Sequence, residues 1–81
     1  MTIECTIRFT DATLGSKTYS PRGAIDRALG SILHSTEADT AHQIFSGFFF
    51  KTERKPTEIL AAFEEDGFEI EDFESIEFSK I

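Results

Sequence analysis

The chain has 81 residues, 40% of them hydrophobic and 28% charged, with two prolines, five glycines and a formal net charge of −7. That length suits one domain, and the composition is globular rather than that of a disordered tail or low-complexity linker. Cys5 is the only cysteine, which excludes a disulfide scaffold and a zinc site built from several thiolates.

The N-terminal segment alternates, with Ile3, Cys5, Ile7 and Phe9 on one side and Glu4, Thr6 and Arg8 on the other. Period two predicts a strand with one buried face. Thr10 to Ser16 reads as a turn, leading toward a short hairpin strand at Lys17–Tyr19. Ser20 followed by Pro21 is a helix start signal. Ala24, Ile25, Ala28, Leu29, Ile32 and Leu33 then follow helical spacing, so a first helix is expected over 21–33, weakened in its last turn by Gly30.

Residues 34–42 are polar and read as a loop or a short edge strand, with the 36–42 stretch the source of a second strand. Ile44 to Phe50 is apolar on both parities, which predicts a central strand buried on both faces. Thr52–Lys55 reads as a loop. Pro56 opens a second helix carrying Ile59, Leu60 and Phe63 inward, and Gly67 stands where a left-handed C-terminal cap belongs. The final segment, 68–81, alternates at both ends. Phe73 breaks the parity, which predicts a bulge or tight bend near Asp72–Glu74.

This order predicts one α+β domain over 1–81: a two-layer sandwich with an antiparallel or mixed sheet of four or five strands packed by two helices. Ferredoxin-like βαββαβ is the leading topology and ββαβαβ, with an early hairpin, its competitor. No apolar run approaches the roughly 20 residues needed to cross a bilayer. The start Met1-Thr2-Ile3-Glu4 lacks the order of a signal peptide. The expected setting is the cytoplasm, without membrane attachment.

Charge is divided unevenly. Residues 1–55 hold six acids and seven bases, whereas 56–81 hold nine acids against Lys80 alone. Glu64, Glu65 and Asp66 occupy the expected last turn of the second helix, where the helix dipole favours cations. Glu69, Glu71, Asp72, Glu74 and Glu77 follow, the four glutamates reading as one strand face with carboxylates roughly 6.6–6.8 Å apart at every second residue. Helix end and strand together predict an acidic ridge. Local rules fail most informatively at functional sites, although an acidic face also keeps a phenylalanine-rich protein soluble.

An acidic surface repels polyanions, so neither nucleic acid nor an anionic membrane is expected as a direct ligand. Its natural target is a basic protein surface, with a groove of a nucleic-acid-binding protein or nuclease complex as the leading case. Small acidic phage and plasmid proteins that inhibit restriction or CRISPR nucleases, as nucleic-acid mimics, act in this way. The chain is similar to them in size and charge, and no motif in it identifies such a family. The expectation is a non-enzymatic binding module or inhibitor using Glu64, Glu65, Asp66, Glu69, Glu71, Asp72, Glu74 and Glu77. The competing reading is a structural module that self-associates as a homodimer through Phe45, Phe48, Phe49 and Phe50, with the acids serving solubility. Two helices cover one side of a sheet only, so either Phe45 and Phe49 or Phe48 and Phe50 need a second cover.

Other chemistry is weakly signalled. His34 and His42, with Glu37 and Asp39 between them, fit no ligand spacing, so no metal or other cofactor is expected. Cys5, alternating with isoleucines, reads as a buried thiol. The carboxylates lie in a solvated run without the burial that would split their pKa values. Gly47-Phe48-Phe49-Phe50 has the Gly-aromatic-x-aromatic order of an RNA-stacking platform, but Ser46 stands where a base belongs and the domain is acidic. No catalytic residue is assigned.

Overall fold

The computed structural model describes residues 1–11 and 27–81. The chain forms β1 (Ile3–Phe9), a π-helical turn (Ala28–Ile32), α1 (Ser35–Asp39), β2 (His42–Ile44), β3 (Gly47–Thr52), α2 (Pro56–Glu65), a 3-10 turn (Ile70–Asp72) and β4 (Phe73–Lys80). The four strands make one sheet in the order β2-β3-β1-β4, every pair antiparallel. Helices lie against one side, which gives a small two-layer α+β domain. The expected hairpin strand at Lys17–Tyr19, the Ser20–Pro21 helix start and residues 21–26 of the first helix lie outside the described residues.

The alternation of β1 sets the layers. Cys5, Ile7 and Phe9 are fully buried, as are Phe48 and Phe50 of β3 and Ile59 and Phe63 of α2. Phe73, Ile76 and Phe78 of β4 pack on the same cluster, with Ala28 and Ile32 of the π-helical turn and Leu33 just after it. Phe9 holds the centre of the aromatic packing, with ring centroids 5.5 Å from both Phe68 and Phe73. Such offset and tilted pairs are each worth about 0.5–1.5 kcal/mol beyond the apolar area they bury.

Three sequence expectations need correction. The second strand does not come from 36–42. Ser35–Asp39 is helical and the strand is His42–Ile44. The reason is local: the Glu37 carboxylate accepts the backbone N–H of His34 at 2.8 Å, closing the first turn of α1. Nor is Ile44–Phe50 one strand. Phe45 and Ser46 form a two-residue loop between β2 and β3, with Ser46 at φ 64°, and Ile44 pairs with Gly47 across it. Apolar residues on both parities therefore belong to two strands and a loop tip. The third correction concerns 68–81, where strand begins only at Phe73. Asp72 accepts the backbone N–H of Glu69 at 2.8 Å, which folds the preceding residues into the 3-10 turn.

The helix cap and the bulge stand where the sequence places them. Gly67 has φ 96°, its N–H donates to Glu64 O at 3.0 Å, and the N–H of Phe68 donates to Phe63 O at 3.0 Å. This is a Schellman cap, completed by edge contact between the Phe63 and Phe68 rings. In the β1–β4 ladder Arg8 pairs with Ser75 but Phe9 pairs with Phe73, so Glu74 is the extra residue. The bulge lets Phe73 and Ile76 share the core face despite odd spacing.

Candidate interaction surfaces

The acidic residues are built onto the passage from α2 to β4. Glu64 and Glu65 are exposed in the last turn of α2. Glu69 and Glu71 are exposed around the 3-10 turn, Glu74 is exposed at the bulge, and Glu77 is exposed within β4. None of these six forms an ion pair with a described residue. Among the described strands β4 is at the edge of the sheet, so the acids border that edge. They do not form the single strand face expected from the sequence. Only Glu74 and Glu77 lie in β4, and Glu77 pairs with Thr6 on the side of the sheet away from the core.

Two of the eight expected ridge residues have partners. Asp66 is held by Arg27, whose Nε lies 2.6 Å from Asp66 Oδ2. This cation arrives from 39 residues away and partly compensates the misplaced negative charge at the helix end. Asp72 serves as the cap of the 3-10 turn. The remaining six have no ion pair with a described residue.

The phenylalanine set divides between the layers. Phe48 and Phe50 are core residues with no exposed surface. Phe49 lies on the opposite side of the sheet, away from the described helices, where its ring stacks on His42 at 5.3 Å between centroids. Phe45 is 84% exposed at the loop tip. Of the two pairs expected to need a second cover, it is Phe45 and Phe49 that face outward.

The sequence reading missed a buried polar cluster. Glu37 is only 4% exposed, although it stands in the polar stretch read as loop or edge strand. Arg54 grips it with two bonds, Nε to Oε2 at 2.8 Å and Nη2 to Oε1 at 2.6 Å. The Thr52 hydroxyl donates to the same carboxylate, and Arg54 Nη2 also donates to Ile32 O at 3.2 Å. Burial pushes the Glu37 pKa up, but the bonds from Arg54, Thr52 and the His34 N–H, with the Arg54 charge, outweigh it and hold the carboxyl below its ordinary value. Thr40 extends the cluster, its hydroxyl donating to Glu37 O at 2.9 Å and accepting the Lys51 N–H at 2.9 Å. The cluster ties the π-helical turn, α1, β3 and the entry to α2. The one sequence signal for it was the His34-x-x-Glu37 spacing of a helix N-terminal box.

This cluster is saturated. Both Glu37 oxygens and the Nε–Nη2 edge of Arg54 are engaged within it. Cys5 is buried, and desolvation, aided by the Glu37 charge, pushes its thiol up to about 12, far from a nucleophile's range. Among the described residues no three histidine, cysteine, aspartate or glutamate side chains are grouped to hold a metal ion, and no helix is long and apolar enough to cross a membrane. Set against protein-family models, curated proteins and solved structures, the chain matches none.

Proposed function

We propose that this protein is a non-enzymatic binding module whose acidic border, from the end of α2 to β4, docks on a basic protein surface. The observation that carries the reading is the set of six exposed carboxylates, Glu64, Glu65, Glu69, Glu71, Glu74 and Glu77, without an ion pair to a described residue, in a stretch from Pro56 to Ser79 that contains no base. The scaffold suits the task. A Schellman cap, a 3-10 turn and a bulge hold the carboxylates on short, hydrogen-bonded segments, which lowers the entropy lost on binding. The strand order and uniformly antiparallel pairing favour reading that scaffold as ferredoxin-like βαββαβ. A basic groove that normally holds nucleic acid is the favoured target class, because spaced carboxylates present charge much as phosphates do. The single buried thiol suits a reducing, cytoplasmic setting.

The test compares wild-type bait with a Glu69→Gln, Glu71→Gln, Glu74→Gln, Glu77→Gln variant in capture from native lysate, eluting at low and then high salt. A basic protein held by the wild type alone and released by salt is the expected result, since exposed charges are screened beyond about 8–10 Å at physiological ionic strength. Identical captures by the two baits would overturn the reading and leave the acids a solubility device.

A further inference from the structure

The side of the sheet away from the described helices differs from the chain as a whole in charge. Its strand residues include two acids, Glu4 and Glu77, and two bases, Arg8 and Lys51, a balance of zero on a chain of net charge −7. It also carries Phe49 and His42, stacked beside a shallow groove that Glu4, Asp39, Thr40 and Lys51 complete. No described helix covers this side.

We infer that this face is the contact of a twofold homodimer, in which two sheets stack face to face about an axis running parallel to the strands between β1 and β3. The ladder registers define the match. They place Glu4 beside Lys51, Thr6 beside Phe49 and Glu77, and Arg8 beside Gly47 at successive heights along the strands. A rotation about an axis along the strands keeps height and exchanges the positions of β1 and β3. Each copy's Lys51 then meets Glu4 of the other, and each Phe49 meets Thr6. Arg8, whose Nη1 donates to Phe45 O of its own chain at 3.2 Å, comes to the level of the buried Gly47, which bears no side chain.

The result sets opposite charges together in the Glu4–Lys51 row and a large side chain against a smaller one in the Thr6–Phe49 row. Lys51 and Glu4 of both copies form a square of alternating sign around the axis, each charge with an opposite neighbour in its own chain and another across the contact. At the flanks Glu77 comes to the level of His42 of the second copy. The other in-plane twofold, perpendicular to the strands, is disfavoured because it sets Glu77 against Glu77 and Phe49 against Phe49. Face-to-face sheets pack about 10 Å apart with interleaved side chains. The contact is small, about 400 Å² of flat sheet per copy at ~4.8 Å between strands, so the dimer belongs to the weak class below the standard interface size. Of the border carboxylates only Glu77 enters the contact, and Glu4, Phe49 and Lys51 belong to the face alone, so variants at those three test the inference separately from the acidic border.

Sedimentation velocity of the wild type over concentrations from about 10 μM to about 1 mM tests the idea, within the range of weak association. Dimer is expected at the upper end. Phe49→Lys, Lys51→Glu and Glu4→Lys should each weaken association by at least about tenfold. The double change Glu4→Lys, Lys51→Glu rebuilds the square with signs exchanged and should recover it to within about threefold of wild type. Far-UV circular dichroism and a urea midpoint confirm that each variant is folded, and the charge swap alone decides if Phe49→Lys is not. A wild type that stays monomeric throughout, single charge variants that associate like wild type, or a double variant no better than its parents would each overturn the inference.

Discussion

At the scale of single residues the molecule depends on a carboxylate that its neighbours in sequence do not explain. Glu37 is surrounded in the chain by serine, threonine and alanine, yet Arg54, Thr52 and the His34 amide saturate it in the interior. Breaking a buried pair from one side leaves an uncompensated charge and costs about 3–5 kcal/mol, while removing both partners costs far less. Arg54→Met should therefore destabilise more than the double change Glu37→Gln, Arg54→Met, a comparison that urea denaturation makes directly. The pH dependence has a definite sign. The folded pKa of Glu37 lies below its unfolded value, so its contribution is complete above the unfolded value, about 4.3, and is lost as pH falls through the folded one. The stability gap between wild type and Glu37→Gln should be widest near neutrality and shrink in acid.

At the scale of elements the informative conflict is at the end of α2. Its core face needs Ile59 and Phe63, its exit needs Gly67 in the left-handed region, and its last turn carries acids where a helix favours bases. Gly67→Ala should cost about 1 kcal/mol, since alanine resists a positive φ. Glu64→Lys should instead stabilise by about 0.3–1 kcal/mol through the helix dipole, read as a raised urea midpoint. A variant that folds better and binds less would show that these acids are retained at the expense of stability. The other elements show why short-range pattern misleads here. Ile44 to Phe50 has the composition of one buried strand, but a backbone reversal at Ser46 turns it into a hairpin. The one local mark of that reversal is the Ser46-Gly47 dipeptide, a weaker turn signal than the asparagine–glycine or aspartate–glycine pairs that favour tight hairpins.

At the scale of the whole molecule the acids concentrate at one edge of the sheet and the balanced face lies next to it. Arg27 and Arg54 are engaged by Asp66 and Glu37. The acidic border is thus left to repel itself, and such repulsion destabilises the compact state. Raising sodium chloride from about 10 mM to about 300 mM, which shortens the screening length from about 30 Å to below 8 Å, should raise the melting temperature of the wild type. The same change should raise that of the four-glutamine variant less. The two regions meet at Glu77, which belongs to the border by its charge and to the face by its pairing with Thr6.

What could be read from residue order alone was whatever depends on near neighbours. Alternation in β1 specified its buried side, proline and glycine bracketed α2, the parity break at Phe73 marked the bulge, and counting charges located the acidic half. What needed the folded chain was whatever joins distant residues. Arg27 reaches Asp66 and Arg54 reaches Glu37 only after the helices have packed, and a carboxylate's burial depends on a partner 17 residues away. Which phenylalanines face outward followed from the hairpin at Ser46, and the pairing of Glu4 with Lys51 from a register joining strands 47 residues apart. Helix and strand periodicity is a property of a few bonds. Charge compensation and the two sides of a sheet are properties of the packed whole.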